Sequence, residues 1–198
     1  MAYQLKKDPY IDPETGILRN LFGVKDLKTL DQIEAEITVA VIATLNEHPI
    51  SGNFDLEHLQ AIHKRLFASI YDWAGKLRTV EMAKDKTRFA PIEYLPQAAE
   101  YIFSELKSEK YLDELDDSKY VERFAHYYSE VNILHPFREG NGRTERVFFS
   151  LLAQRSDRHI AWDLLDPDEA IKACILAYNG DESQLVKLLA SLFSKNNK

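Results

Sequence analysis

The stretch His135-Pro136-Phe137-Arg138-Glu139-Gly140-Asn141-Gly142-Arg143-Thr144-Glu145-Arg146 puts a general base, an acid, two glycines and the arginine pair Arg143 and Arg146 into one short segment. Glycines reach positive φ and let backbone N–H groups close on a ligand, so the loop can form an anion-binding nest. A helix is expected to start near Arg143, and its free N–H groups and dipole favour negative charge at the same place. Phosphate is the guest that fits. Arg143 and Arg146 lie three apart, which predicts both guanidiniums on one helix face, with Ser150 on that side. Val147, Phe148, Leu151 and Leu152 then face the core. An acid beside phosphates needs a cation between them, and Mg2+ binds through one or two carboxylates plus phosphate oxygens, so Glu139 is the expected metal ligand. His135, with an ordinary pKa of about 6.5, is the expected base for an incoming hydroxyl. Singly, these residues have ordinary roles: a helix-ending histidine, a glycine turn, a Glu139–Arg143 surface pair, a solvated face at Glu145 and Arg146. Their coincidence in one segment makes the chemical reading the stronger one. His48, His58, His63, His126 and His159 lack such company and are expected to be structural or surface residues.

Two amphipathic helices must flank this segment. Val121, Phe124, Ala125, Tyr128 and Val131 form the apolar stripe of a helix over 119–134, and the following one covers 143–154. Upstream, Leu30, Ile33, Ile37, Val41 and Leu45 predict a long helix over 27–45, with acids from Asp31 to Glu36 near its start. The break from His48 to Asn53 ends it, and Asp55 is the expected N-cap of a helix carrying Leu56, Leu59, Ile62, Leu66 and Ile70. Further helices are expected over 95–106, 168–178 and 182–193, the last two divided by the turn Asn179-Gly180-Asp181. The alternation Leu77-Arg78-Thr79-Val80-Glu81-Met82, followed by a polar stretch and Phe89, predicts a small hairpin or flap over about 77–91. Residues 1–26, rich in turn formers from Asp8 to Gly16, read as an N-terminal arm. The architecture expected is all-α: a helical bundle with one small β-hairpin flap, in a single domain whose core spans 27–195.

The composition narrows the partners. A chain of 198 residues, 45% hydrophobic and 29% charged, suits one folded domain. With 25 basic against 32 acidic residues, the net charge of −7 argues against a dedicated nucleic-acid binder, which must neutralise many phosphates. Cys174 is the only cysteine and cannot form an internal disulfide, and the N-terminus shows no secretory pattern, so a reducing cytoplasm is the expected location. No apolar run approaches the roughly 20 residues of a membrane span.

Residues 135–146 resemble the signature of the Fic family, His-Pro-Phe-x-[Asp/Glu]-Gly-Asn-Gly-Arg-x-x-Arg, with every specified position filled. The likeness extends to Tyr71-Asp72-Trp73-Ala74-Gly75-Lys76-Leu77-Arg78 and to Lys84-Asp85-Lys86-Thr87-Arg88-Phe89, and so covers roughly residues 8–193. It implies a Fic-fold enzyme that transfers AMP from Mg-ATP to a Ser, Thr or Tyr hydroxyl of a target protein. His135 would be the base and Glu139 would bind Mg2+. Gly140, Asn141 and Gly142 would hold the α- and β-phosphates, Arg143 and Arg146 the β- and γ-phosphates, with Phe137 and Arg138 in the nucleotide-binding segment. The flap residues Lys84, Asp85, Lys86, Thr87, Arg88 and Phe89 would dock the target by strand addition. Doc-type relatives that phosphorylate instead carry a lysine where this chain has Gly142. The alternatives left open are a degenerate Fic module that binds nucleotide without catalysis and a transferase with another nucleotide donor.

Many Fic proteins also carry an inhibitory Ser/Thr-x-x-x-Glu-Gly/Asn motif. Here Glu followed by Gly or Asn occurs once, at Glu139-Gly140 inside the catalytic segment. The resemblance therefore implies a toxin restrained by a separate small antitoxin, in a group whose targets include bacterial DNA gyrase and topoisomerase IV.

Overall fold

The computed structural model describes residues 8–84 and 87–193. Seven α-helices are found among them: α1 Leu27–Glu47, α2 Leu56–Phe67, α3 Leu95–Ser108, α4 Asp117–Leu134, α5 Asn141–Arg155, α6 Pro167–Tyr178 and α7 Ser183–Leu192. Aspartates start four of them by the same device. Asp26, Asp55, Asp116 and Asp166 each accept a hydrogen bond from a backbone N–H in the first turn, satisfying donors that no intrahelical carbonyl can reach.

Helix α5 is central: it packs on α2 and α4, while α6 and α7 pair with each other and lean on α4. Its Phe148, Phe149 and Leu152 are buried, and the two phenylalanines meet Phe54, Phe103, Phe124 and Tyr128 as ring neighbours. The loop before α5 is thereby fixed from behind by the core.

The expected flap is shorter than its alternating sequence suggests. Its strands are β1 Ala83–Lys84 and β2 Thr87–Arg88, antiparallel with Lys84 opposite Thr87, and the predicted tip residues Asp85 and Lys86 lie outside the described residues. The alternation fails as a strand because Arg78 points inward, 2% exposed, and its backbone N–H donates to the Pro136 carbonyl rather than to a ladder partner. The arm is anchored: Tyr10 is buried edge-on against Trp73, with its hydroxyl accepting from the Thr79 N–H.

Helix α1 departs from its expected stripe. Ile33, Ile37 and Val41 are only half-buried, and Leu30, Glu34, Thr38 and Leu45 form the innermost row. Glu34 is thus a buried partner rather than one of the acids expected to serve the helix start.

Candidate active site

Helix α4 ends at His135, which sits in the left-handed region at φ 45°, ψ 57°. Pro136 disfavours continuation of the helix, and a non-glycine residue holds this conformation only where its surroundings impose it. Arg78 supplies the imposition. Its Nε donates to the His135 carbonyl at 2.8 Å, its backbone N–H to the Pro136 carbonyl at 2.9 Å, and its Nη atoms to the carbonyls of Val80 and Ala90. One buried guanidinium ties the base of the flap to the residue that carries the imidazole.

The imidazole of His135 stacks on Phe89 of the flap, with centroids 3.7 Å apart and planes 11° apart. Its Nδ1 is buried without a hydrogen-bond partner and the Asn132 carbonyl lies near the ring, which leaves Nε2 for the cleft that His135 lines. Burial lowers its pKa to about 4, with the charges of Arg78 and Lys84 acting in the same direction and the Asn132 carbonyl opposing. At neutral pH the ring is neutral and ready to accept a proton.

The next turn is shaped by side chains that hold backbone. Asn141 is buried, accepts from the Phe137 N–H at 2.9 Å and donates to the Phe137 carbonyl at 2.8 Å. His63 accepts from the Gly75 N–H at 2.8 Å, so its other nitrogen donates to the Glu139 carbonyl at 3.0 Å, and its ring stacks on Phe137. Gly140 sits at φ +78°, where an added Cβ would stand 2.3 Å from the Phe67 ring. The first helical bond of α5 runs from the Thr144 N–H to the Gly140 carbonyl, which leaves the N–H groups of Asn141, Gly142 and Arg143 at the helix start for an anion. Gly142 is under no such constraint: a Cβ there meets nothing closer than the Arg146 guanidinium at 3.6 Å.

The two motif arginines part company. Arg146 lines a cleft of about 500 Å³ together with His135, Gly142, Lys84, Thr87 and Phe89, and forms no ion pair with any described residue. Arg143 lies on the other side of the loop, in a cavity of about 380 Å³ shared with Asp31, Glu34, Tyr71 and Glu139. There it pairs with Glu34 of α1, stacks over Phe67 at 4.9 Å, and comes within 3.6 Å of Glu139. Tyr71 donates to the other oxygen of Glu34 at 2.5 Å. The single face expected for both arginines is therefore divided: positions three apart differ by about 60° around a helix, and Glu34 draws the first outward along that difference.

Other expected site residues take structural places. Phe137 is 1% exposed and belongs to the core, while Arg138 turns to Asp8 at 2.8 Å; neither side chain lines the cleft. Glu139 keeps 45% of its side chain exposed, with one oxygen accepting from the Gly140 N–H. His58 and His63 are buried and hydrogen-bonded as framework residues, and His126 pairs with Glu182. Sequence reasoning missed Glu34, the role of Arg78, and the burial of Glu145. An acid at one-turn spacing from Leu30 and Thr38, inside the α1 stripe, was the one available signal for Glu34.

The family model described as Fic/DOC matches residues 53–153. Along its length the chain is 40% identical to protein adenylyltransferase VbhT of Bartonella schoenbuchensis, covering 98% of this chain but 40% of that protein. It is 34% identical to the Probable protein adenylyltransferase Fic of Escherichia coli, covering 96% and 94% of the two chains. The chain belongs to the Fic/DOC family. Among solved structures, BepC of Bartonella tribocorum with bound AMPPNP superposes with a TM-score of 0.87 at 23% identity, covering 95% of this chain and 97% of that one. A Fic domain from Bartonella quintana with bound ADP superposes with a TM-score of 0.88 at the same identity. These two likenesses speak for the fold: a Fic-type bundle of helices with a small two-stranded flap.

Proposed function

We infer that this Fic/DOC protein is an adenylyltransferase that moves AMP from ATP to a hydroxyl of another protein. The observation that carries this reading is the convergence, in one cleft, of a neutral His135, an arginine without an acidic partner, and the open start of α5 at Gly142. Adenylyltransferase relatives that match nearly the whole chain support it. A Ser, Thr or Tyr hydroxyl gives its proton to His135 Nε2 as its oxygen bonds to the α-phosphorus, and the bond from that phosphorus to the pyrophosphate oxygen breaks. The N–H groups of Asn141 to Arg143 and the guanidinium of Arg146 hold the phosphates in line, which is where most of the catalysis of such transfers resides. Arg143, fixed on Glu34 and Phe67, steadies the far side of the loop beside Glu139.

Glu139 would be the carboxylate that holds Mg2+, a role supported by its half-exposed side chain and by the engagement of its neighbour Arg143 with Glu34. Bound there with phosphate oxygens, the ion would neutralise charge on the leaving pyrophosphate. The flap residues Lys84, Thr87 and Phe89 line the same cleft, which supports docking of an extended target segment along β2. No described acid pairs with Arg146, which supports restraint by a separate antitoxin whose glutamate would compete there with phosphate. A cytoplasmic toxin acting on gyrase or topoisomerase IV remains the finer form of the proposal.

Incubation with ATP labelled at the α- or the γ-phosphate, with and without those topoisomerases, tests it. Label from the α position alone is expected on protein. Label from the γ position makes the chain a kinase, and binding without transfer makes it a nucleotide-binding module.

A further inference from the structure

Glu145 lies one residue before Arg146, and its surroundings contradict its charged, surface-like sequence context. It is 2% exposed, lies on the wall of the 500 Å³ cleft, and its Oε1 has no hydrogen-bond partner. Its other oxygen accepts from Asn132 Nδ2 at 3.3 Å. The groups facing it are Tyr128 and Asn132 from α4, Cys174 from α6 and Arg146 on its own helix. Burial pushes its pKa up to about 8, against the opposing effects of Asn132 and Arg146, so below that pH it is a neutral acid. With Oε2 accepting from Asn132, Oε1 carries the hydroxyl, a buried donor with no acceptor. Such a group is costly to a fold unless a ligand completes it.

The cleft around it offers an apolar wall on which a flat ring can pack. Trp162, Leu165, Ile171, Ile175 and Tyr178 form its apolar wall, with Ile171, Ile175 and Tyr178 on one face of α6 at spacings of four and three. Trp162 is held by its indole N–H on Ser150 and by stacking on Tyr128. Resting on the transferase reading above, we propose that Glu145 and Asn132 select adenine, the Glu145 hydroxyl donating to a ring nitrogen beside the N6 amine and Asn132 Oδ1 accepting from that amine. Either edge of adenine that flanks N6 offers this acceptor–donor pair. Guanine offers a donor against the Glu145 hydroxyl at one edge, and at the other a second acceptor against Asn132 Oδ1. The phosphate loop reads no base, and this pair supplies the discrimination it lacks.

Equilibrium binding to the whole chain tests the assignment, with ATP, GTP, 2′-deoxy-ATP and purine riboside triphosphate, which lacks the amine, at pH 7 and pH 9. Wild-type protein is expected to favour ATP at least tenfold over GTP and over the amine-less analogue, and to lose affinity for ATP at pH 9 as Glu145 ionises. Glu145→Leu should lower the preference at least tenfold and remove the pH effect. Glu145→Gln, nearly isosteric and never ionised, should also lose the pH effect while weakening ATP less than leucine does. An unchanged ATP-to-GTP ratio in both variants overturns the proposal. So does a wild-type preference for ATP over 2′-deoxy-ATP that Glu145→Leu abolishes, because the contact would then be to ribose. Binding of all triphosphates alike refutes base selection but leaves the transferase reading standing, whereas no triphosphate binding at all overturns both.

Discussion

The two sides of the phosphate loop are furnished in opposite ways. On one side Arg146 faces a cleft with a neutral histidine and no acidic partner among the described residues; on the other Arg143 is locked between Glu34, Phe67 and Glu139. Three residues apart in one helix, one guanidinium is left for a ligand and its twin is built into the protein. An arginine's meaning in a motif thus depends on whether the fold has already given it a carboxylate.

The largest expected effect tests the cleft side. His135→Ala should lower transfer by about 10² to 10⁴-fold, the usual reach of general-base catalysis, while ATP affinity changes little, because the ring acts on the incoming hydroxyl. Comparable single-turnover rates in the variant would remove His135 from the mechanism.

The arginine comparison itself comes next. Arg143→Leu leaves Glu34, with 10% of its side chain exposed, supported only by Tyr71, and should destabilise the fold by about 1 to 3 kcal/mol, the partial exposure of Arg143 keeping this below the value for a fully buried pair. Arg146→Leu should leave stability within about 0.5 kcal/mol yet weaken ATP binding about tenfold or more. Denaturant unfolding and nucleotide titration of both variants decide the matter, and equal stability losses would erase the distinction.

The glycines repeat the contrast on a smaller scale. Gly140→Ala forces a methyl at positive φ into the Phe67 ring and should cost about 2 kcal/mol or more of stability. Gly142→Ala has room and sits in the first turn of α5, so its stability should hold or rise by up to about 1 kcal/mol while nucleotide binding falls. A Gly142→Ala protein that binds ATP like wild type would show that this part of the cleft is not used.

The smallest effect concerns protons. His135 and His63 both have pKa values lowered by burial to about 4, below the ordinary 6.5 of an unfolded chain. The unfolded state then binds more protons between those values, so stability from keeping these rings neutral is fully present above about pH 6.5 and declines as pH falls toward 4. Replacing His135 by Asn should flatten part of that decline in unfolding experiments. Titration of the His135 ring near 6.5, followed by NMR, would mean that the cleft is wetter than its packing indicates.

Much of this was legible in the chain. Apolar spacing and the aspartate at 55 located the helices to within two residues at most ends, because a helix boundary is a local matter of caps and periodicity. The segment 135–146 stands out in the sequence, since its glycines and the helix start that follows them act through backbone that the local sequence determines. Its expected roles for Phe137 and Arg138 fared differently, because where a side chain points depends on what packs beside it: His63 captures one and Asp8 the other.

What only the tertiary structure decided is the state of the ionisable groups. Glu34 and Glu145 are both acids within three residues of other charges in the sequence; the first is expected to add negative charge near a helix start, and the second has a solvated helix face as its ordinary reading. Folding brings Glu34 to an arginine 109 positions away and buries Glu145 against Tyr128 and Cys174, from two other helices. One thereby becomes half of an ion pair and the other a neutral acid. Sequence sets which groups can ionise and where helices begin; burial and distant partners, which only packing supplies, set which of those groups carry charge and which are left for a ligand.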